Sequence, residues 1–366
     1  MIKPRLLTRR GLPALAATVL ATVCRAQGVF PPINHIPLGP SKTEFTFVAL
    51  GDNRPAGAGL PPTRVFQEIL REVAWIHPDF VLSTGDLLYG NEESMEQYRA
   101  ECAAIKPLIG AIGVPFFNAP GNHEIAGKPE FEMEYIKQFG PLYGSFEFGG
   151  CRFIALSTDS AAFPAKLGPD QYAWLNGQLA DKRPSFVFGH HPIIAREGND
   201  EPGKTVEQGP ELVTKFSESN VKAVFEGHDH VFNHQTRGGV EYFIAGGAGA
   251  PLDAPPEQGG FFHFVLVHVK DGVMDATVVP LNAIDVTEDG DHAIVSSYCD
   301  SDLELGNLTV TVATLPKTIT AQADKKGKMA EVPVRLVSSE KLASGYRLHL
   351  AFTLTKHRQT ILRFGR

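Results

Sequence analysis

The segment Phe45-Thr-Phe-Val-Ala-Leu-Gly51-Asp52 decides the fold, because an apolar, strand-like run in it ends in a glycine and then a carboxylate. The segment Phe80-Val-Leu-Ser-Thr-Gly85-Asp86 repeats the pattern. One aspartate after a strand is a common turn residue. Two such elements in succession indicate an open α/β sheet that presents side chains at its carboxyl edge.

Three further segments have the same form, in which a strand-like run is followed by a glycine and then by a residue that can bind a metal. They are Phe116-Phe-Asn-Ala-Pro-Gly121-Asn122-His123-Glu124, Phe186-Val-Phe-Gly189-His190-His191-Pro192 and Val224-Phe-Glu-Gly227-His228-Asp229-His230. An amide oxygen can bind a hard cation, and histidines two residues apart project the same way from an extended chain. Each segment alone is typical of a polar loop, but five in one chain predict a metal centre.

The candidate ligands are mixed oxygen and nitrogen donors, namely Asp52, Asp86, Asn122, His190, His228 and His230. They are too many for one tetrahedral zinc ion. Two metal ions that share a bridging carboxylate fit better, and such sites hold the attacking and leaving oxygens of an in-line displacement at phosphorus. A water between the two ions becomes hydroxide near neutral pH.

In this order, the five motifs resemble those of the calcineurin-like metallophosphoesterase superfamily, over roughly residues 44–281. The resemblance implies a β-sandwich flanked by helices, with a dimetal site at the strand ends. It also implies that Asp86 bridges the metals, and that His123 acts as general acid or stabilises the leaving group. The remaining ligands then divide into Asn122, His190 and His228 on one metal, and Asp52 and His230 on the other.

The first motif departs from the superfamily, since Arg54 stands where most members have a histidine ligand. The run Gly85-Asp86-Leu-Leu-Tyr89 is similar to the Gly-Asp-x-x-Tyr of purple acid phosphatases, in which the tyrosine binds ferric iron. This likeness implies that Tyr89 is a ligand and that the metals are iron paired with iron, zinc or manganese. An aromatic side chain that merely packs near the site is the alternative for Tyr89. For Arg54 the alternatives are bidentate binding of the substrate's phosphate and an ion pair with a loop carboxylate.

Three other features near these motifs carry weaker predictions. His191 is an alternative ligand to His190, and Asp159 is interpreted as a turn or supporting residue. The glycines in the run 246–249 are not followed by the lysine and hydroxyl residue of a phosphate-binding P-loop, so we expect a tight turn near the site.

The remaining pattern predicts an α/β fold, a β-sandwich flanked by helices, followed by a β-rich C-terminal region. Helices are predicted at 63–76, 94–108, 170–180 and 210–217, and strands at 45–50, 80–83, 115–118, 152–156, 186–188, 221–225, 242–245, 262–269 and 274–281. We assign 27–43 to an extended linker and 44–283 to the metallophosphoesterase domain. The region 284–366, with strands at 308–313, 332–337, 346–354 and 360–364, is interpreted as a packing appendix rather than a binding module.

Residues 1–26 are interpreted as an export signal, because basic residues precede a short apolar stretch. Thr8-Arg9-Arg10-Gly11-Leu12 looks like a twin-arginine signal, and an ordinary export signal is the alternative. The signal predicts a periplasmic or secreted protein with no transmembrane segment in the mature chain. Cys102, Cys151 and Cys299 then remain, which excludes a cysteine zinc site and permits one disulfide.

Composition limits the partners. The chain has 366 residues, 43% of them hydrophobic, and a formal net charge of -7, so it can bury a full core and has no basic footprint for nucleic acid. No protein partner is indicated.

The sequence thus predicts an exported dimetal phosphoesterase acting on a small phosphorylated substrate, with phosphomonoesters as first choice. A phosphodiesterase of nucleotides or phospholipid headgroups is the alternative, and a non-catalytic secreted metal-binding protein is a third.

Overall fold

The computed structural model describes residues 30–90, 94–125, 127–198, 203–325 and 327–365. The predicted export signal lies outside these residues. Within the described ranges no helix has the length and apolar character needed to cross a bilayer.

The N-terminal part of the chain alternates strands and helices. Its elements are β1 (Glu44–Leu50), α1 (Arg64–Ile76), β2 (Phe80–Ser83), α2 (Met95–Ala111), β3 (Phe116–Asn118), α3 (Asn122–Ile125), α4 (Pro129–Phe139), β4 (Gly144–Phe148), β5 (Cys151–Ala155), α5 (Pro169–Leu179), β6 (Ser185–Phe188), α6 (Gly209–Glu218), β7 (Val221–Glu226), β8 (Phe232–Arg237), β9 (Val240–Ala245), β10 (His263–Lys270) and β11 (Val273–Pro280). The predicted hairpin of β10 and β11 is confirmed, with Asp271-Gly272 at its turn.

These strands form two sheets packed face to face. One has the order β11-β10-β1-β2-β3 and the other β4-β5-β6-β7-β9-β8. The strands that carry the motifs run parallel within each sheet, β1 to β2 to β3 and β6 to β7, so their carboxyl ends lie at one edge. The predicted β-sandwich is confirmed.

A phenylalanine-rich core joins the two sheets. Strand β1 alternates its side chains, so that Phe45, Phe47 and Ala49 point into this core while Val48 and Leu50 point toward the helices. Phe47 lies 5.5 Å from Phe153 of the other sheet, centroid to centroid, at an interplanar angle of 84°. Edge-to-face aromatic packing of this kind fixes one sheet against the other and therefore fixes the relative positions of their strand ends.

Helices cover both outer faces of the sandwich, as predicted. In α1, Thr63 caps the N-terminus by accepting a hydrogen bond from the Phe66 N–H, and the apolar stripe of Phe66, Ile69 and Val73 is buried. Helices α1 and α2 contribute to the core on the five-stranded sheet, and α5 and α6 to the core on the six-stranded sheet. Helices α3 and α4 and strands β4 and β8 were not predicted.

The C-terminal region is all-β within the described residues, as predicted. Its strands are β12 (Ile284–Asp289), β13 (His292–Ser297), β14 (Leu303–Val312), β15 (Thr318–Lys325), β16 (Lys328–Val332), β17 (Arg335–Leu342), β18 (Gly345–Leu354) and β19 (Gln359–Gly365), in sheets of order β12-β13-β19-β15-β16 and β14-β18-β17. The single strand predicted at 332–337 is instead two strand ends, because residue 332 ends β16 and residues 335–337 begin β17. Between them the chain passes from one sheet to the other at Pro333. Proline has no backbone N–H and cannot donate a hydrogen bond to a neighbouring strand.

The C-terminal region shares its hydrophobic core with α1. Leu303, Leu308 and Val310 belong to the same buried cluster as Phe66 and Trp75. The Trp75 indole N–H donates to Thr309 Oγ1 at 3.1 Å. The region therefore packs directly on α1, the helix that follows the first motif of predicted metal ligands.

The segment 30–43 contains no helix or strand, yet it lies against the sandwich. The Phe30 N–H donates to the Ser145 carbonyl at 2.9 Å, and the Ile33 N–H donates to the Phe116 carbonyl at 2.7 Å. Both side chains are buried. The three cysteines left in the described chain are also buried, and none forms a disulfide.

Glu72 of α1 is buried at the junction with the C-terminal region, where its Oε1 accepts a hydrogen bond from the Ile284 N–H at 2.9 Å. Burial raises the pKa of Glu72 from 4.5 to about 7. Below pH 4.5 Glu72 is protonated in both the folded and the unfolded state and does not lower the free energy of unfolding. As the pH rises from 4.5 to about 7, only the unfolded state ionises readily, so the free energy of unfolding falls.

We therefore predict that Glu72→Gln, which keeps the acceptor oxygen and removes the charge, raises the free energy of unfolding at pH 8 by on the order of 2 kcal/mol. The effect at pH 5 is much smaller. Urea denaturation at both pH values measures it, with the exposed Glu218→Gln as a control for the change in net charge. An equal effect at the two pH values contradicts the prediction.

Candidate metal centre

The strand ends bring the predicted ligands together at one edge of the sandwich. Asp52 follows β1 and Asp86 follows β2, each with a positive φ, 59° and 54° respectively, that turns the chain sharply at the ligand. The other ligands come from the end of β3 and from the ends of β6 and β7 in the second sheet, namely Asn122, His190, His228 and His230.

The two carboxylates are buried side by side. The Asp52 N–H donates to the Gly85 carbonyl at 3.0 Å, so the loops after β1 and β2 are joined by their backbones. Burial and the negative charge of Asp86 raise the pKa of Asp52 well above its ordinary value. Burial also raises the pKa of Asp86, but the hydrogen bond from the His123 N–H and the positive charge of Arg54 act in the opposite direction, and that pKa lies below its ordinary value. The pair therefore needs positive charge beside it.

Asn122 connects the ligands of the two sheets. Its Oδ1 lies 2.8 Å from His190 Nε2 and 3.2 Å from His228 Nδ1. His190 Nε2 also lies 3.5 Å from Asp86 Oδ1. Burial lowers the pKa of His190 and of His228, so both rings are neutral and can offer a lone pair to a cation.

The backbone orients two of the histidine rings. His190 Nδ1 lies 2.9 Å from the Thr84 carbonyl, and His230 Nδ1 lies 2.6 Å from the Pro251 carbonyl. A carbonyl can only accept, so each Nδ1 carries the proton and each Nε2 presents its lone pair. Those Nε2 atoms point at the carboxylates, since His230 Nε2 lies 3.7 Å from Asp52 Oδ1.

The side chains at the strand ends fit a metal ion. The ligand atoms of Asp52, Asp86 and His190 lie within 4.8 Å of one another, and so do those of His190, His191 and His228. Buried carboxylates, an amide oxygen and oriented imidazoles form the donor set that divalent and trivalent cations bind.

Arg54, Tyr89 and His123 lie at the half-buried mouth of this cluster. His123 is fixed twice, by its backbone N–H to Asp86 Oδ1 at 3.1 Å and by its Nδ1 to the Tyr89 carbonyl at 2.7 Å. The Tyr89 ring lies 5.7 Å from the His123 ring. Arg54 Nε lies 3.6 Å from Asp86 Oδ2, so the ion pair with a loop carboxylate is formed. That the Tyr89 hydroxyl binds a metal stays a prediction.

Glu124 lies beneath the predicted ligands, and the sequence interpretation gave it no role. It is fully buried, and its carboxylate accepts hydrogen bonds from the N–H groups of Asp86, Leu87, Leu88 and Gly121. Burial and the charge of Asp86 raise the pKa of Glu124 to about 8. One carboxylate thus joins the loop that carries Asp86 to the loop that carries Asn122. The sequence feature that could have pointed to Glu124 is its position directly after Asn122 and His123.

His191 belongs to the site as well. Its Nδ1 lies 2.6 Å from the buried Asp159 Oδ2, and its ring stacks on His228 at 3.8 Å between centroids. The interpretation of Asp159 as a supporting residue is therefore correct. The glycine-rich run also acts as expected, because the Ala248 and Ala250 N–H groups donate to the carbonyls of Gly51 and Asp52.

Comparison with known proteins agrees with this geometry. The family model for calcineurin-like phosphoesterases matches residues 46–232. That match covers half of the chain and includes every predicted ligand. The chain belongs to the calcineurin-like phosphoesterase family. The superfamily resemblance is confirmed, and the match does not specify a purple acid phosphatase branch.

Curated relatives of this phosphoesterase chain include the serine/threonine-protein phosphatase CPPED1 of Rattus norvegicus, 31% identical over 42% of this chain and 54% of that protein. The chain thus spans about half the length of that relative. A protein of Rhodococcus erythropolis named "Probable cyclic nucleotide phosphodiesterase" is 24% identical over 62% of this chain and 75% of its own. Among solved structures, a dimetal phosphatase from Danio rerio is similar with a TM-score of 0.49 at 13% identity, over 69% of this chain and 95% of that one.

Gly121 allows Asn122 and Asp86 to approach each other. A Cβ at this position would overlap Asp86 Oδ1 and lie 2.6 Å from the Asp86 backbone nitrogen. We predict that Gly121→Ala lowers the affinity for divalent metal at least about tenfold, because Asp86 must move. Isothermal titration of the metal-stripped protein with Mn²⁺ measures this.

The control is Gly110→Ala in α2, where an added Cβ meets no atom within 4 Å. Circular dichroism establishes that both variants are folded. Unchanged metal affinity in Gly121→Ala would show that Asp86 does not bind the metal in this position.

Proposed function

We propose that this chain is an exported dimetal phosphoesterase that hydrolyses phosphomonoesters, with a metal centre like that of the purple acid phosphatases. The observation that carries the proposal is the position of Asn122 Oδ1 between His190 Nε2 and His228 Nδ1, with the buried Asp86 carboxylate 3.5 Å from the same His190 nitrogen. Donors from both sheets meet there around a carboxylate that needs positive charge.

In this proposal Asn122, His190 and His228 would hold one ion, Asp52, His230 and Tyr89 would hold the other, and Asp86 would serve both. The metals would be iron paired with iron, zinc or manganese. When bound, the two ions supply a nucleophilic oxygen at neutral pH and positive charge beside the phosphoryl group.

His123 is the proposed general acid. Its Nδ1 is committed to the Tyr89 carbonyl, so its Nε2 is the atom that holds a proton for the departing alkoxide oxygen. Its backbone contact with Asp86 ties its position to the metal ligand. Arg54, half-buried at the same mouth, can orient the phosphate of the substrate through its planar guanidinium.

The mono- and diesterase alternatives are supported by different relatives. The phosphatase relatives support a phosphomonoester, as does the tyrosine motif. The relative from Rhodococcus erythropolis supports a phosphodiester and matches a larger share of this chain. A non-catalytic metal-binding protein is the third candidate, but the anchored His123 favours turnover. Export to the periplasm or the medium rests on the basic and apolar pattern of residues 1–26.

The proposed function is tested with His123→Ala. The metal-loaded protein is assayed on phenyl phosphate and on bis(p-nitrophenyl) phosphate. We expect turnover of the monoester, and a loss of kcat of about 10²- to 10⁴-fold in the variant, because a positioned general acid contributes that much. Metal affinity stays within about threefold, since the contact with Asp86 uses the backbone N–H.

His268→Ala, which removes an exposed histidine of β10, is the control. Equal losses of kcat and metal affinity in His123→Ala would overturn the acid assignment. A correctly folded, metal-loaded protein that hydrolyses neither ester would overturn the proposed function.

The purple acid phosphatase likeness is tested with Tyr89→Phe. If the phenolate binds ferric iron, the iron form of the protein has a visible charge-transfer band, and this band disappears in the variant. Absorption spectra of the iron-loaded proteins measure it. Tyr98→Phe is the control, because Tyr98 is buried in the core. A colourless ferric form of the unaltered protein would show that Tyr89 only packs at the site.

A further inference from the structure

Two buried carboxylates hold one continuous stretch of backbone at the mouth of the site. Residues 86–90 lie between β2 and α2, and each of their N–H groups donates to a glutamate side chain. Glu124 accepts from the first three. Glu101 Oε2 accepts from the last two, at 2.9 Å from the Tyr89 nitrogen and 3.2 Å from the Gly90 nitrogen. Glu101 therefore holds the half of this segment that is farther from the metal ligand.

Glu101 occupies a core-facing position of α2. Tyr98, Glu101, Cys102 and Ile105 have the i, i+3, i+4, i+7 spacing of one helix face, and all four are buried. A carboxylate among apolar side chains costs free energy unless hydrogen bonds compensate for the lost water. The two backbone N–H groups that donate to Glu101 provide this compensation. The segment that Glu101 holds thus explains why a charged residue stands on this face.

One peptide group connects Glu101 to His123. The Tyr89 carbonyl and the Gly90 N–H belong to the same planar unit, so they move together. The N–H donates to Glu101, and the carbonyl accepts from His123 Nδ1 at 2.7 Å. Gly90 also lies against the His123 backbone, since its φ is 76° and a Cβ there would overlap the His123 carbonyl oxygen. Glu101 thereby fixes the peptide group that fixes the His123 ring.

We propose that Glu101 is a positioning residue for proton donation by His123, acting through the peptide group between Tyr89 and Gly90. This inference rests on the proposed function, in which His123 protonates the departing alkoxide, and deepens it. Without the carboxylate, two N–H groups lose their acceptor and the Tyr89 carbonyl no longer holds the imidazole in one orientation. Proton transfer then suffers, because it depends on the geometry of the donor.

The test compares two monoesters whose leaving groups differ in basicity. Phenolate is a strong enough base to need a proton as it departs, whereas p-nitrophenolate leaves without one. At saturating Mn²⁺ we expect Glu101→Ala to lower kcat/KM at least about tenfold for phenyl phosphate and by less than about threefold for p-nitrophenyl phosphate. Glu101→Gln keeps a neutral acceptor, so its losses are smaller but show the same preference. A displaced metal ligand would slow both esters alike.

A double variant tests whether Glu101 acts through His123. In the His123→Ala background, we expect Glu101→Ala to cause no further loss on phenyl phosphate, because the acid that it positions is already gone. Glu96→Ala is the matched control, since it removes an exposed carboxylate from the first turn of the same helix and leaves both rates unchanged. Circular dichroism establishes that each variant is folded.

Equal effects on the two esters in Glu101→Ala would overturn the inference and leave the proposed function standing. If that variant does not fold, equal effects in Glu101→Gln have the same meaning. A full additional loss in the double variant would also overturn it. If the protein hydrolyses diesters instead, diphenyl phosphate and bis(p-nitrophenyl) phosphate provide the same comparison. A folded, metal-loaded protein that hydrolyses none of these esters would overturn the proposed function and the inference with it.

Discussion

The burial of two carboxylates side by side is the constraint on which the rest of this structure depends. Asp52 and Asp86 are both inaccessible to solvent, and their loops are tied by a backbone hydrogen bond. Two ionised carboxylates this close repel each other strongly, because no water lies between them to screen the charges. The pair is therefore unfavourable unless positive charge lies nearby. Arg54 supplies positive charge beside the pair, and backbone hydrogen bonds to Glu124 hold the Asp86 loop in place.

The sandwich supplies the rigidity that this pair requires. Aromatic packing between Phe47 and Phe153 fixes the two sheets, so Asn122 at the end of one sheet meets His190 and His228 at the end of the other. The Glu124 carboxylate then joins the loops after β2 and β3 by accepting four backbone hydrogen bonds. The site is thus built on strand ends and buried backbone contacts, which suits a constellation that must keep its geometry.

Much of the fold and most of the side chains that meet at the strand ends could be predicted from the sequence, because the pattern of a strand, a glycine and a polar residue is local. Helix α4 was missed because buried Glu134 interrupts its apolar face; its charge is compensated by a long-range ion pair with Arg99 and a hydrogen bond from Gln138. Helix α3 is a single turn, too short for a periodic pattern. The break within the strand predicted at 332–337 was missed because the apolar pattern continues across Pro333 while the pairing partners change.

The contacts within the site were less accessible to prediction because they join residues far apart in the chain. The pairing of His191 with Asp159 spans 32 residues. The approach of Arg54 to Asp86 depends on how two loops meet, and local propensity does not specify that. The sequence therefore predicted which residues gather at the strand ends, but it could not predict the charged contacts around them.

The central claim is that these strand ends form a two-metal centre, and anomalous X-ray diffraction from crystals grown with Mn²⁺ and phosphate tests it most directly. The account predicts two anomalous peaks, one beside Asn122, His190 and His228 and one beside Asp52 and His230, with Asp86 between them. A single peak, or peaks away from these side chains, would contradict it.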